Sequence, residues 1–387
     1  MRSHYKKLEP YIREVNIRNN DLLDTRLLGV SIQKILIPSI ANIIGTDMTT
    51  YKIIKKEQFA YGPVTSRNGD KISVALCEYD EGMVSQAYVV FEIACREELD
   101  PEYLMMWFSR PEFDRYARFK SHGSAREIFD WNEMCNIELP VPSIETQRQI
   151  VKEYNTIKNR LKHNKKLNQK LEETAQVVYK QWFVDFDFPD NNGKPYRSNG
   201  GLMVWSEELN QEIPKGWMEG CLGDLIELQR GFDLPTQDRL PGVHPIYAST
   251  GTLENHRTFK VKGPGIVTGR SGSLGEVFYI EEDFWPLNTT LWVKTYKNST
   301  PIFIYYVLKS INISDYNSGS AVPTLNRNHL HLHRLIVPPI NIIQAFEMVS
   351  TKIKEQTRRK IKENTLLENI TEILFTKMSK LEILETA

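Results

Sequence analysis

The chain has 387 residues, with 49 basic and 49 acidic side chains in balance, 41% hydrophobic and 25% charged. At about 100–200 residues per domain this predicts two domains or more, each able to bury a core, and the composition excludes general disorder. No run of about 18 apolar residues occurs, so no membrane partner is expected. Met1-Arg2-Ser3-His4-Tyr5-Lys6-Lys7 leads into no apolar signal core, so the expected location is the cytoplasm. Zero net charge argues against a protein that coats nucleic acid indiscriminately, but leaves room for a local basic face. Cys77, Cys95, Cys135 and Cys221 are scattered without a C-x-x-C pair, so neither a zinc finger nor a redox motif is indicated.

In chain order, a first globular module is expected over residues 1–143, with strands at Ser73–Leu76 and Ala87–Ile93 and a proline-opened short helix at Pro101–Ser109. A long helix follows over 144–184. Its seam (Ile150, Tyr154, Ile157, Leu161, Asn164, Leu167 or Asn168, Leu171, Ala175, Val178, Trp182) steps alternately by three and four residues when Asn168 takes the sixth place, and no proline or glycine interrupts Gln147–Phe183. At 1.5 Å per residue that helix is about 55 Å long. Residues 185–213, rich in turn formers such as Pro189-Asp190-Asn191-Asn192-Gly193, read as a linker. A second module is expected over 214–340, with strands at Gly265–Thr268, Glu276–Ile280 and Thr290–Thr295 and a short helix at Pro301–Ile311. Gly269–Gly275 reads as a loop between strands, since it lacks a phosphate-loop Lys-Ser/Thr and leads into Val277-Phe278-Tyr279-Ile280. His329-Leu330-His331-Leu332-His333 alternates like a polar strand face, its imidazoles about 7 Å apart and poorly placed to share one ion, so no metal is assigned. A second long helix is expected over 341–387. The fold class is α+β, twice over.

The two halves repeat. Gly123-Ser124-Ala125 recurs 196 residues later as Gly319-Ser320-Ala321, each copy followed by a β-like segment ending in proline, and Gln147 and Gln344 follow 197 apart near the start of each long helix. One large module is thus used twice. The two seams could make a homodimer, or could pack antiparallel within one chain and imitate a two-fold dimer. The helices also carry runs of basic residues, among them Arg148, Lys152, Lys158, Arg160, Lys162 and Lys165 on the first, and Lys352, Lys354, Arg358, Arg359 and Lys360 on the second. Such a run is either a solvated face or a phosphate or partner contact.

No catalytic motif survives inspection: there is no G-x-S-x-G elbow, no H-E-x-x-H helix, and neither an Asp/Asn-Pro-Pro-aromatic motif nor a glycine fingerprint for a methyl-donor cofactor. Each half does carry a polar loop at the same place, Ser121–Asn132 and Asn317–Asn328. Their Arg, Asn and Ser/Thr side chains match the chemistry of base edges and phosphates.

Taken together, the duplication, these loops, Gln181-Trp182-Phe183-Val184-Asp185-Phe186, Gly200-Gly201, Ile213-Pro214-Lys215-Gly216-Trp217, Leu222-Gly223-Asp224 and Trp107-Phe108-Ser109-Arg110-Pro111 make the chain resemble, over essentially its full length, the specificity subunit of type I restriction–modification enzymes. The resemblance implies two target-recognition domains reading the halves of a bipartite, asymmetric site in double-stranded DNA. It also implies that paired antiparallel helices with pseudo-two-fold symmetry set the unread spacer. It further implies a non-catalytic chain that binds two modification (methyltransferase) subunits, which methylate adenine N6, and in the full complex two restriction subunits. S-adenosylmethionine, ATP and magnesium would belong to those partners, with no cofactor bound by this chain. The offset between the halves is 214 at Leu8/Leu222 against 196 at the loops, so the first module carries extra residues and the modules should read different half-sites. Residue type and loop placement select Arg67, Asn68, Lys71, Ser121, Ser124 and Arg126 as DNA contacts in the first module. In the second they select Arg230, Thr268, Arg270, Ser271, Ser273, Ser320, Asn326 and Arg327. The competing expectation is a duplicated coiled-coil scaffold joining protein partners without reading DNA.

Overall fold

The computed structural model describes residues 5–22, 25–40, 45–66, 68–123, 126–316 and 324–380. In the first half, strands β1 (Tyr5–Lys7), β2 (Ile12–Val15), β3 (Leu27–Val30), β4 (Leu36–Pro38), β5 (Lys52–Lys55), β6 (Phe59–Tyr61), β7 (Val74–Leu76), β8 (Glu81–Val84) and β9 (Val89–Ile93) precede helices α1 (Pro101–Phe108), α2 (Pro111–Lys120) and α3 (Trp131–Cys135), strand β10 (Glu138–Pro140) and the long helix α4 (Ile144–Phe183). In the second come β11 (Met203–Ser206), β12 (Gln211–Pro214), β13 (Met218–Cys221), α5 (Leu222–Leu225), β14 (Ile226–Arg230), β15 (Pro241–Ala248), β16 (Gly251–His256), β17 (Gly265–Gly269), β18 (Val277–Ile280), β19 (Trp285–Pro286), β20 (Thr290–Tyr296), α6 (Pro301–Ser310), α7 (Arg327–His331), β21 (Arg334–Val337) and the long helix α8 (Ile340–Lys380).

The chain divides into two compact units. Unit 1 takes Met1–Asn164 with Lys362–Ala387, and unit 2 takes Lys165–Ile361, so each long helix gives one half to each unit. The boundaries therefore fall inside the long helices rather than at their ends.

Unit 1 is organised around the antiparallel sheet β2-β9-β6-β7, with Phe59 opposite Phe91 and Ala60 opposite Ala75. The two-residue period of a strand sends Phe59, Val74 and Phe91 to one face and Ala60, Ala75 and Val90 to the other, and both faces are covered. The large face meets α1, Phe129, Leu139 and the first turns of α4, where Phe59 and Phe91 stack at 4.8 Å. The small face is covered by a second sheet, β4-β3-β8-β5, through Leu28, Leu36, Ile54 and Val84. Asp100 caps α1 by accepting from the Glu102 and Tyr103 N–H groups, with Pro101 in the first turn. The fully buried Gln147 amide fixes the approach of α4 to that cap: it accepts from Asp100 N (2.9 Å) and donates to the Glu98 and Pro142 carbonyls (2.7 and 2.8 Å).

Unit 2 repeats the frame with the sheet β14-β20-β17-β18, again antiparallel throughout. Ile266, Val277 and Leu291 pack toward α6 and the long helices, while Val267, Ile280 and Phe284 face a separate small core. The covering sheet here is smaller, β16-β15-β19, with β19 parallel to β15. Gln344 is exposed and does not repeat the work of Gln147. Glu347 takes that place, accepting from the Thr300 hydroxyl and the Ile302 and Phe303 N–H groups at the start of α6, and burial pushes its carboxyl above the ordinary range.

Within each unit the long helices pair antiparallel. In unit 1, Tyr154 meets Phe375, Arg160 pairs with Glu363 at 2.5 Å, and the buried Asn164 amide donates to Asn364 at 2.9 Å. In unit 2, Glu172 takes Lys354 and Lys309 at 3.1 and 3.4 Å, and Trp182 and Phe183 lie on Phe346.

Two sequence expectations are corrected. The stretch expected as a linker is folded: Phe186 and Phe188 are buried against Trp217, the first edge-on and the second stacked, and β11 pairs with β12. The His329–His333 alternation is not a strand. Asn326 caps a helical turn over Arg327–His331, His331 accepts the Leu228 N–H through Nε2 at 2.9 Å, and His333 Nδ1 meets the Tyr316 hydroxyl at 2.5 Å. Among the described residues no group of three His, Cys, Asp or Glu is placed to hold a metal, and no helix is long and apolar enough to cross a membrane.

Candidate nucleic-acid interface

In each unit a hairpin loop of the shared sheet meets the segment that precedes a short helix. In unit 1 the loop after β6 is laced to residues 127–129: Thr65 N donates to Glu127 O (3.0 Å), Phe129 N donates to Pro63 O (2.8 Å), and Val64 bridges Ile128. Ile128 also bridges His122, closing the turn that carries Arg126. Gly123 makes this turn possible, with φ +138° and a position where a Cβ would lie 2.1 Å from the Arg126 carbonyl oxygen. Asn68, exposed Lys71 and exposed Arg126 thus sit on neighbouring loops. The Asn68 side chain is partly committed, donating to Val64 O at 3.3 Å, and the Ser121 hydroxyl donates to Ala117 O at 2.7 Å, closing α2. Arg67 and Ser124 lie outside the described residues.

Unit 2 has the equivalent junction after β17. Leu325 N donates to Arg270 O (2.8 Å), Ser271 bridges Thr324, and Arg270 N and Ser271 N both donate to Thr289 O. The junction encloses a cleft of about 450 Å³ with Leu291 and Leu325 beneath and Arg230, Arg270, Thr324, Asn326, Arg327 and Asn328 around it. Four residues selected from the sequence, Arg230, Arg270, Asn326 and Arg327, therefore share one concave site. Ser271 lies outside the lining and bridges Thr324, which is part of it, and Ser273 is exposed further along the same loop. Asn326 spends its carbonyl oxygen on the Asn328 N–H as the α7 cap, which leaves its NH₂ as a donor.

Thr268 is a correction. It is 0% exposed in β17 and its hydroxyl donates to the Glu276 carbonyl at 2.8 Å, so it is a core residue without access to a ligand. Ser320 lies outside the described residues. Sequence reasoning missed Thr324 and Asn328, whose signal was membership of the same polar run, and Phe119, an aromatic 80% exposed at the end of α2 beside the Ser121 loop. The basic residues of the long helices are in part neutralised internally: Arg160 by Glu363, Lys158 by Glu78, Lys170 by Glu173, Lys354 by Glu172 and Arg358 by Glu281. That weighs toward a solvated, ion-paired face for those positions, except for Lys354, which is mostly buried against the Tyr305 and Tyr306 rings.

Residues 214–363 match the family model of the type I restriction modification DNA specificity domain. Over 303 residues the chain is 25% identical to the specificity subunit of the type I restriction enzyme MjaIX of Methanocaldococcus jannaschii, covering 72% of this chain and 68% of that one. It is 27% identical over 179 residues to the specificity subunit of the type I restriction enzyme HindI of Haemophilus influenzae, covering 46% of this chain and 37% of that one. Its fold is similar to that of the S subunit of the type I restriction–modification system of M. genitalium, with a TM-score of 0.62 at 15% identity over 97% of this chain and 95% of that chain. A specificity-domain match over the second module, curated relatives of one kind and a shared full-length fold agree: the chain is similar to the specificity subunits of type I restriction–modification enzymes, and its second module matches their DNA specificity domain.

Proposed function

We propose that each unit reads one half of a bipartite, asymmetric DNA site, and that the chain directs methyltransferase subunits to adenine N6 within it. With restriction subunits, the same complex would cleave unmodified DNA. The observation that carries this reading is the repeated junction of hairpin loop and pre-helix segment, which gathers Asn68, Lys71 and Arg126 in one unit and Arg230, Arg270, Asn326 and Arg327 in the other. A methyltransferase must flip its target base, so a separate reader gripping the duplex on both sides suits the chemistry. In this reading the chain has no catalytic role, and S-adenosylmethionine, ATP and magnesium act in the partner subunits.

Long-read sequencing of source-cell DNA, with the gene intact and deleted, tests the proposal. A bipartite N6-methyladenine motif that disappears on deletion is the expected result. If no motif changes and the purified chain binds random and genomic duplexes without salt dependence, the scaffold reading replaces it, because phosphate contacts weaken steeply with salt. Within the site, Arg327→Ala should relax one base position at a cost of about 1–3 kcal/mol if Arg327 reads a base.

A further inference from the structure

The cleft of unit 2 holds two cationic groups aimed at one point. Arg230 Nε donates to the Asn288 carbonyl at 3.4 Å and Arg270 Nη1 donates to the same carbonyl at 3.5 Å. Among the described residues the one carboxylate at ion-pair distance is Asp233, 4.0 Å from Arg230 Nη2, and it also accepts from the Asn288 side-chain amide. No carboxylate among the described residues lies at ion-pair distance from Arg270. The backbone holds both arginines in place. Arg270 is pinned through its N–H to Thr289 O and through its carbonyl to Leu325 N, both at 2.8 Å. Arg230 is drawn against the 286–288 segment by Gly231, where a Cβ would lie 2.2 Å from the Leu287 carbonyl oxygen and 2.6 Å from that of Pro286.

We propose that Arg230 and Arg270 form a clamp for a single phosphodiester of the second half-site and do not read a base. The proposal rests on the DNA-reading function above. A guanidinium that reads guanine projects its fork outward to a base edge as the foremost group of the contact. These two are drawn back to a shared main-chain carbonyl and converge, an arrangement that repels itself until a compact oxyanion sits between the heads. Arg327, whose Nη1 reaches the Leu228 carbonyl of β14 and not that of Asn288, keeps its remaining donors for a different contact. At the 214-residue offset the counterpart of Arg230 is Asn16, so the clamp belongs to unit 2 alone.

The test uses the purified full chain and duplexes carrying the motif found by methylation sequencing, titrated over a salt series. For R230Q/R270Q we expect binding to matched and scrambled duplexes to weaken by a common factor, the recognised motif to stay the same, and the salt slope to fall by about 1. A neutral methylphosphonate walked through the second half-site should weaken the wild type at one position and leave the double variant indifferent there. R230K/R270K keeps both charges and should retain the wild-type slope, which separates a lost clamp from a misfolded unit. Relaxation at one base position with an unchanged slope would overturn the clamp and make the pair base readers. Unchanged binding would also overturn it while leaving the DNA-reading function intact, whereas a wild type that binds no duplex would remove both.

Discussion

Units 1 and 2 build the same sheet order, β2-β9-β6-β7 against β14-β20-β17-β18, and then diverge on the small face of that sheet. Unit 1 covers it with four strands and unit 2 with three, and the strands of the two covers do not correspond in order. The shared sheet needs apolar cover on both faces, but any cover that supplies it will serve. Unit 1 uses Leu28, Ile54 and Val84 for this, and unit 2 uses Phe284. The loops at the junction can then change without disturbing the frame. The difference teaches that stability and recognition are carried by separable parts of each module.

The largest effect that sharpens this comparison is expected at a contact unit 2 does not repeat. Lys34, in the β3–β4 turn, donates to Asp114 of α2 at 2.5 Å and to Ile72 O at 2.9 Å, and burial holds its ammonium below the ordinary lysine range. Asp114→Ala leaves that cation without its partner and should cost about 3–5 kcal/mol. Hydrogen exchange during chemical unfolding should show the loss in unit 1 only, and an equal loss in unit 2 would mean that this contact is not local to unit 1. Next comes the seam of unit 1. Asn164→Leu strands the Asn364 amide and should cost about 1–3 kcal/mol, while N164L/N364L should recover most of it, as a double-mutant cycle by thermal unfolding would reveal.

A smaller difference depends on pH. Burial lowers the pKa of both His331 and His333 in unit 2, with the charges of Arg327 and Lys297 lowering His331 further. The unfolded chain, with histidines near the usual 6.5, then takes up protons first. Their contribution is whole above about pH 6.5 and is lost as the pH falls below it. Unit 2 should weaken more than unit 1 on mild acidification, and His331→Gln should flatten the difference in a pH series of melting curves. Smallest of all is Thr268→Val, which should cost about 1 kcal/mol of stability and leave the DNA motif unaltered by methylation sequencing.

Much of the frame was legible because its signals are periodic. The seam of α4 repeats over ten positions, and the 196-residue offset reappears in the pairs α3/α7 and α4/α8, whose first residues are Trp131/Arg327 and Ile144/Ile340. Where the signal was short or non-local it failed. Five residues of alternating His and Leu cannot distinguish a strand from one helical turn, and the hydrogen bonds that decide it come from Leu228 and Tyr316. Turn formers around Pro189 hid the aromatics on either side, Phe186, Phe188 and Trp217, that hold the segment down. Gln147 and Gln344 share a letter but not a job, because Glu347, not Gln344, caps α6. Of the contact residues, the four around the cleft were found from side-chain type and loop membership. Thr268 was mistaken because a strand end gives no clue to which face it presents.

The way unit 1 is threaded has a consequence for biosynthesis. Its core is not complete until Met378, fully buried, and Phe375, packed against Tyr154, have been added, long after the strands of its own sheet. Unit 2, a continuous stretch from Lys165 to Ile361, has all its residues before those two are made. The module encoded first is thus the one finished last, and it waits with an open seam on its share of α4. A frameshift in the codons for the second half of α8 is, structurally, a lesion of the first module.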